Sequence, residues 1–453
     1  MKIAVVGGGM MGLRLSDRLA GWGHQVCLFE AAPQLGGLTR SHSYGDFHWD
    51  YFYHCILPRD TALLGLLDEL DLTADLRWSR TGTGYFCDSQ IYSMTTTRDL
   101  LKFPLLGPVD KMRLGLCTLY AAHLASPEKL AHVTARDWLM KWVGKRAFEV
   151  FWLPLLQAKF GAQHDQVSAT YLWATLTRLY QARGATGGGE TMGYVSGGYH
   201  RILERYSTRL RSAGVSIRLE SSVLRLSQST ASGSAMERCG VVWNDADGHA
   251  GQEDFDLVLF TGPTPVARRL AEGDLVHHVD EMEARFPTSG TYLGVLCLTL
   301  VLPEPLTPYY LLNIADSDVD LTGLVEMTNL IDPKIETGGK SLVYLPRYLE
   351  SGSAEFDADD ETLVGQFFDR GLKRIFPELD VSQALYAGIH RARQIQPLPV
   401  VLEEGESVSP PESLSRPLQI VNTSMLRCAT LNNNEVIALA DQFLEDHSDA
   451  LKA

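Results

Sequence analysis

The sequence predicts an α/β protein built on a Rossmann-like dinucleotide-binding domain, with a second domain inserted into it. Three observations lead there. Lys2 to Val6 is a short apolar run with β-branched residues, the kind that forms a buried parallel strand. It breaks into Gly7-Gly8-Gly9-Met10-Met11-Gly12, which fits G-x-G-x-x-G. Glu30 ends a second such run 23 positions after Gly7, close to the spacing of a βαβ dinucleotide site.

Each element between these points has a physical reason. Gly7 permits a tight turn, Gly9 lets the backbone approach a pyrophosphate, and Gly12 lets helix and strand pack closely. Met11, Leu15, Leu19 and Trp22 recur at helical spacing, and Gly23 stands where a helix C-cap glycine belongs. The start of that helix, at Met10 and Met11, offers unpaired N–H groups and a positive dipole end to phosphates. Gln25 to Phe29 reads as the second strand. Glu30 can accept hydrogen bonds from ribose hydroxyls and repels a 2′-phosphate, which disfavours NADP. It does not separate NAD from FAD. A glycine-rich turn in an unrelated α/β domain is the plain alternative.

Composition sets the outer bounds. A length of 453 residues suggests about three cores or two domains of unequal size. With 45% hydrophobic and 21% charged residues, an ordinary folded protein is expected. Forty Lys+Arg against 55 Asp+Glu give a net charge of −15, which argues against nucleic acid as a partner. Seven cysteines with no C-x-x-C, and no H-E-x-x-H, predict neither a metal site nor a disulfide frame, but free thiols in a reducing cytoplasm. The glycine motif begins within a few residues of Met1, leaving no room for a signal peptide. The longest charge-free stretch, Phe286 to Pro303, is densely apolar only from Tyr292 to Leu302, short of the roughly 18 to 20 residues of a membrane helix. A cytoplasmic location is the expectation.

After Glu30 comes Ala31-Ala32-Pro33-Gln34-Leu35-Gly36-Gly37-Leu38-Thr39-Arg40. Here the sequence resembles the flavoprotein group of amine oxidases, protoporphyrinogen oxidase, phytoene-type desaturases and UDP-galactopyranose mutase. In that group a G-G-[RL]-x-x segment wraps over the second half of FAD, and Gly36, Gly37, Leu38, Thr39 and Arg40 occupy it here. The resemblance implies FAD as cofactor. It implies a discontinuous FAD-binding domain from residues 1–50, 195–264 and 395–453, with an α+β substrate-binding domain from 51–194 and 265–394.

The later pieces read in the same order. A helix holding Ile202, Leu203, Tyr206 and Leu210 follows Gly197-Gly198, then strand-like runs Val215–Leu219 and Val223–Leu226, a Ser-rich hairpin tip at 227–234, and a return from Cys239 to Asn244. Val223 holds the position whose backbone meets adenine in the group, and Phe255 to Phe260 leads to Gly262. Leu418 to Val421 reads as a last strand and Asn434 to Leu444 as a last helix. Asn432, Asn433 and Asn434 replace the group's usual wording before that helix and can present N–H groups to the flavin. The segment 51–194 reads as largely helical, as in Lys111–Leu124, Arg136–Phe151 and Thr170–Tyr180. Strand-like runs mark 265–393, and Glu403 to Pro417 reads as a surface loop.

The stretch Gly45 to Pro58 is dense in aromatic and titratable side chains, and it resembles a W-D-x-F-Y-H stretch in bacterial members of the group. The resemblance implies a path beside the flavin ring. His48 and His54 are candidate acid–base residues, with packed structural histidines as the alternative. Lys159 could anchor an anionic substrate or stabilise reduced flavin, or be a surface lysine. Glu326, Tyr344 and Arg347 lie on probable strands. Arg391 and Arg393, before Gln396, could hold a phosphate or carboxylate or cap a domain interface. Cys428 stands outside the group's usual context for a covalent flavin.

The expected function is an FAD-dependent oxidoreductase (oxidase, dehydrogenase or desaturase) that passes hydride from an organic substrate to flavin N5. The alternatives are a non-redox isomerase or mutase acting on a nucleotide sugar or isoprenoid, and a binding subunit without catalysis. The partner is a small molecule, whether amine, isoprenoid or sugar-linked, since fold does not fix a site's chemistry. Leu100 to Leu124, with Lys102, Lys111 and Arg113 interspersed, allows peripheral membrane contact. Burial in the core is the favoured reading of that stretch.

Overall fold

The computed structural model describes residues 1–182, 189–230, 237–285, 291–403, 414, 416–426 and 430–452. A five-stranded parallel sheet is made of β1 (Lys2–Val6), β2 (Gln25–Phe29), β3 (Ser216–Arg218), β4 (Leu257–Phe260) and β5 (Leu418–Ile420), in the order β5-β4-β1-β2-β3. Six helices matter below: α1 (Met10–Gly21), α2 (Thr61–Glu69), α3 (Pro108–His123), α4 (Leu153–Phe160), α5 (Gly198–Ser212) and α6 (Asn433–Asp446).

The period of two along the strands splits the sheet's side chains between two apolar layers. Ile3, Val5, Leu28 and Leu259 pack with α1, α2, α5 and α6 on one face. Ala4, Val6, Phe29 and Phe260 pack with Leu226, Val241, Trp243 and Phe255 of an antiparallel meander on the other. That double cover is why these strands are almost wholly apolar. The meander strand Ser222–Thr230 runs into the expected hairpin tip, because Ser227, Gln228 and Ser229 still pair with Gly240, Cys239 and Arg238. The rest of the expected tip, 231–234, and most of the 403–417 loop, lie outside the described residues.

A seven-stranded sheet stands apart, in the order Tyr386–Pro397, Tyr292–Leu302, Ser341–Glu350, Gly323–Glu326, Leu311–Ile314, Thr83–Cys87, Gln90–Ser93. Its last two strands come from the segment read as largely helical. They are short and carry no long periodic pattern, so only the pairing of Thr83–Cys87 with 311–314, and of Gln90–Ser93 with Thr83–Cys87, reveals them. Tyr292–Leu302 is buried along its whole length, since it is paired on both sides. The helix expected over Arg136–Phe151 breaks at Gly144, which takes φ +84. A Cβ there would sit 2.9 Å from the Arg113 guanidinium. Among the described residues, no helix is long and apolar enough to cross a membrane.

Candidate active site

The turn after β1 is shaped by glycines acting in different ways. Gly7 takes φ +112, and a Cβ on Gly12 would lie 1.9 Å from the Gly7 carbonyl oxygen, so helix and turn touch only because Gly12 is bare. Gly9 is different. It has ordinary dihedrals (φ −73, ψ 177), and a Cβ on it would meet nothing closer than the Gly37 Cα at 3.9 Å. It is the N-cap of α1 with no side-chain cap, and the first-turn N–H groups of a helix have no partner within the helix. A clear, positively polarised seat is left there, which suits a phosphate.

Glu30 stands beside it. Its Oε2 accepts from the Gly8 N–H at 2.7 Å and its Oε1 from the Ala32 N–H at 2.8 Å. A carboxylate has about four lone-pair sites, so two remain for ribose hydroxyls. A Cβ on Gly8 would lie 2.9 Å from Glu30 Oε2 and 2.8 Å from Leu35, so Gly8 is a functional glycine that the motif pattern passes over. The Ser221 N–H donates to the Glu30 carbonyl, which brings Val223, two residues further, to the same end of the turn. Thr261 donates to the Val6 and Gly7 carbonyls and braces the turn, next to Gly262.

The second glycine loop closes over the first. Gly36, at φ +117, donates its N–H to the Gly8 carbonyl at 2.7 Å, and Gly9 and Gly36 form an isolated parallel bridge. Thr39 is buried and donates to the Gly36 carbonyl, while half-buried Leu38 packs against the neighbouring core. Arg40 donates to the Gly37 carbonyl and lies 5.5 Å over the Tyr51 ring.

From there the chain enters the aromatic stretch, where Asp50 and His54 form a pair. Asp50 is almost fully buried, and its Oδ1 accepts from the Tyr199 N–H at the start of α5. Its Oδ2 lies 3.4 Å from His54 Nδ1. Burial pushes the Asp50 carboxyl up, and His54 opposes the shift. The α5 dipole favours the same charge. Beside the pair, the buried Tyr199 hydroxyl lies against the Asn433 side chain without a hydrogen bond, and Trp49 Nε1 is also buried with no partner among the described residues. Buried polar groups are rarely left unpaired, so these suit a polar ligand between Asp50, Tyr199 and the start of α6. The residues fit a dinucleotide with a polar ring system.

A second cluster gathers residues far apart in sequence. Tyr386 Oη is 3.1 Å from His42 Nε2, Tyr44 Oη is 3.3 Å from His390 Nε2, and Tyr51 packs edge-on against His390 at 4.4 Å. Both Tyr44 and Tyr344 donate to the Asp50 carbonyl, which ties this cluster to the Asp50–His54 pair. Burial, with help from His42, holds His390 down at about 3 from an ordinary 6.5. The unfolded chain therefore takes up a proton that the folded chain refuses. Stability from this group is complete above about pH 6.5 and is lost as pH falls toward 3. His390→Gln is expected to lose less melting temperature than the parent between pH 6.5 and 4. Parallel declines of the two proteins would refute this.

Several sequence candidates take other places. His48 is exposed and stacks on His200 at 5.7 Å, because it sits at the turn end of the Ser41–Ser43/His48–Asp50 hairpin, opposite Ser43. Arg393 pairs with Asp357 and lies over Phe356, and Arg391 pairs with Asp360, so both hold the 354–360 segment. Asn434 accepts from the Ala62 and Leu63 N–H groups and caps α2, while Asn432 caps α6 by accepting from the Glu435 N–H. Of the three asparagines, Asn433 is the one beside Tyr199. Glu326 is fully buried and holds Leu306, Thr307 and Ser341, and Arg347 pairs with Asp320 and Glu355. Lys159, on α4, is half-buried among Phe160, Tyr171 and Tyr348, with its Nζ 4.9 Å from the Tyr171 ring and 5.0 Å from Tyr348. Burial opposes its charge, yet the two tyrosines carry its pKa above the ordinary value. Tyr348 in turn meets Tyr53 at 3.1 Å, next to His54. The six cysteines among the described residues are unpaired, and Cys428 lies outside them.

Residues 12–391 match the model of a family described as flavin containing amine oxidoreductase. Mitochondrial protoporphyrinogen oxidase of Nicotiana tabacum is 23% identical over 301 residues, 58% of this chain and 58% of that protein. The chain thus spans little more than half the length of the curated relative it matches. Among solved structures, an oxidoreductase from Methanosarcina mazei superposes with a TM-score of 0.69 at 19% identity, covering 98% of this chain and 100% of that one. A putrescine oxidase bound to putrescine gives 0.63 at 14% identity, covering 98% of each. At these identities the likeness is one of fold.

Proposed function

The chain belongs to the family of flavin containing amine oxidoreductases, and from that premise we propose that it is an FAD-dependent oxidoreductase acting on a small organic molecule. The observation that carries this is the continuity of the site. A side-chain-free phosphate seat at Gly9 leads, through the loop 36–40, to a buried Asp50–His54 pair.

In this reading α1 and its glycines hold the pyrophosphate, Glu30 the ribose, and Val223 and Gly262 the adenine end. Gly36 to Arg40 and Asn433 flank the ring system. FAD, when bound, supplies a hydride acceptor. His54 is the catalytic residue, taking or giving a proton at Nε2, since its Nδ1 faces Asp50. Asp50 is a positioning residue that fixes the imidazole tautomer and orientation. Lys159 holds an anionic part of the substrate, beyond Tyr53 and Tyr348. The domain division at 1–50, 195–264 and 395–453 against 51–194 and 265–394 belongs to the same proposal, as does a cytoplasmic location.

In the isomerase alternative, Arg391 and Arg393 would be the pair suited to a nucleotide-sugar diphosphate. Arg391 and Arg393 are engaged by Asp360 and Asp357, so the redox reading stands first.

The test is anaerobic mixing of the FAD-loaded protein with amines, isoprenoids and nucleotide sugars, following loss of absorbance near about 450 nm. Once a reducing substrate is found, Lys159→Met is expected to raise KM about tenfold or more for an acid-bearing substrate, with kcat changed less. An unchanged KM would remove Lys159 from the site.

A further inference from the structure

We propose that α3 and the cations around it form a docking face for the anionic surface of a lipid bilayer. α3 is apolar on two opposite sides. Leu114, Cys117 and Ala121 turn inward and are 6%, 1% and 2% exposed. Val109, Met112, Leu116 and Leu119 recur at spacings of three, four and three on the far side, and are 62%, 59%, 52% and 48% exposed. Leu101 and Leu124, at 63% and 77%, extend this stripe past both ends of the helix. Six of the twelve exposed large hydrophobic side chains among the described residues thus fall between positions 101 and 124. Soluble surfaces scatter such residues singly, and a contiguous stripe marks a surface that something covers. The favoured reading of this stretch as core holds only for the inner face.

Charge decides what covers it. Residues 98–146 carry nine Lys or Arg against four Asp or Glu, in a chain whose net charge is −15. The cations sit around the stripe. Lys111 donates to the Leu101 carbonyl, Arg146 to that of Leu105, and Arg113 to those of Lys141 and Trp142. Two of the acids are occupied locally: Asp99 completes a capping box with Thr96, and Asp110 accepts from the Gly107 N–H and pairs with one of the cations, Arg146. An apolar helix face bordered by Lys and Arg lies in the plane of an anionic headgroup layer. A second copy of the chain on this face would set these cations against their own images. No described helix can span a bilayer, so the contact is peripheral.

The experiment is co-sedimentation of the full chain with phosphatidylcholine vesicles, with and without phosphatidylserine. The parent is expected to pellet with the serine-containing vesicles and to be released by high salt. The double variant Met112→Glu/Leu116→Glu changes only exposed positions, so it is expected to keep the parent's melting temperature and flavin content. It should bind these vesicles about tenfold less or weaker still. Lys141→Glu/Lys145→Glu should weaken binding to the serine-containing vesicles in the same direction. Parent protein that stays in the supernatant would overturn the proposal. So would Met112→Glu/Leu116→Glu binding as well as the parent, or a parent dimer that this variant dissociates.

Discussion

Gly9→Ala is expected to give a folded protein that has lost FAD, with retention down at least about tenfold relative to the parent. The added methyl meets no protein atom closer than 3.9 Å, and the dihedrals of Gly9 suit any L residue. The fold should therefore tolerate it, and only the incoming pyrophosphate is obstructed. Gly12→Ala is the control with the opposite signature. Its Cβ would fall 1.9 Å from the Gly7 carbonyl oxygen, so the turn itself must move and the apoprotein should melt lower. A Gly9→Ala protein that purifies fully loaded with FAD would show that the phosphate seat lies elsewhere.

His54→Ala is expected to slow flavin reduction by the true substrate about 10²- to 10⁴-fold while FAD stays bound. Asp50→Asn removes the partner that sets the imidazole tautomer. It should lower the same rate by a smaller factor and change its pH profile, which a purely structural loss would not do. Stopped-flow traces at 450 nm measure both. Reduction at the parent rate in His54→Ala would make the histidine a packing residue.

The glycine turn was legible because backbone geometry there dictates residue type: a Cβ on Gly12 would fall 1.9 Å from the Gly7 carbonyl oxygen. Gly8 escaped because the motif treats its position as free, although its neighbour is the Glu30 carboxylate. Asp50 lay in plain view inside the aromatic stretch, yet its burial comes from α5, nearly 150 positions on. The contact of His42 with Tyr386 spans 344 positions and leaves no local trace. Density of titratable residues marked the right segment but not the side each one faces, so His48 and His54 looked alike. The asparagine run had cap chemistry, and Asn434 spends it on α2, a helix from another part of the chain. Helical spacing likewise showed that α3 has apolar faces, without saying that one of them meets water.

The absorbance spectrum of the purified protein, with chromatography of the cofactor released by heat, decides whether this chain is a flavoprotein. Bands near about 375 and 450 nm and released FAD are expected. A colourless protein that also fails to take up added FAD would overturn the assignment.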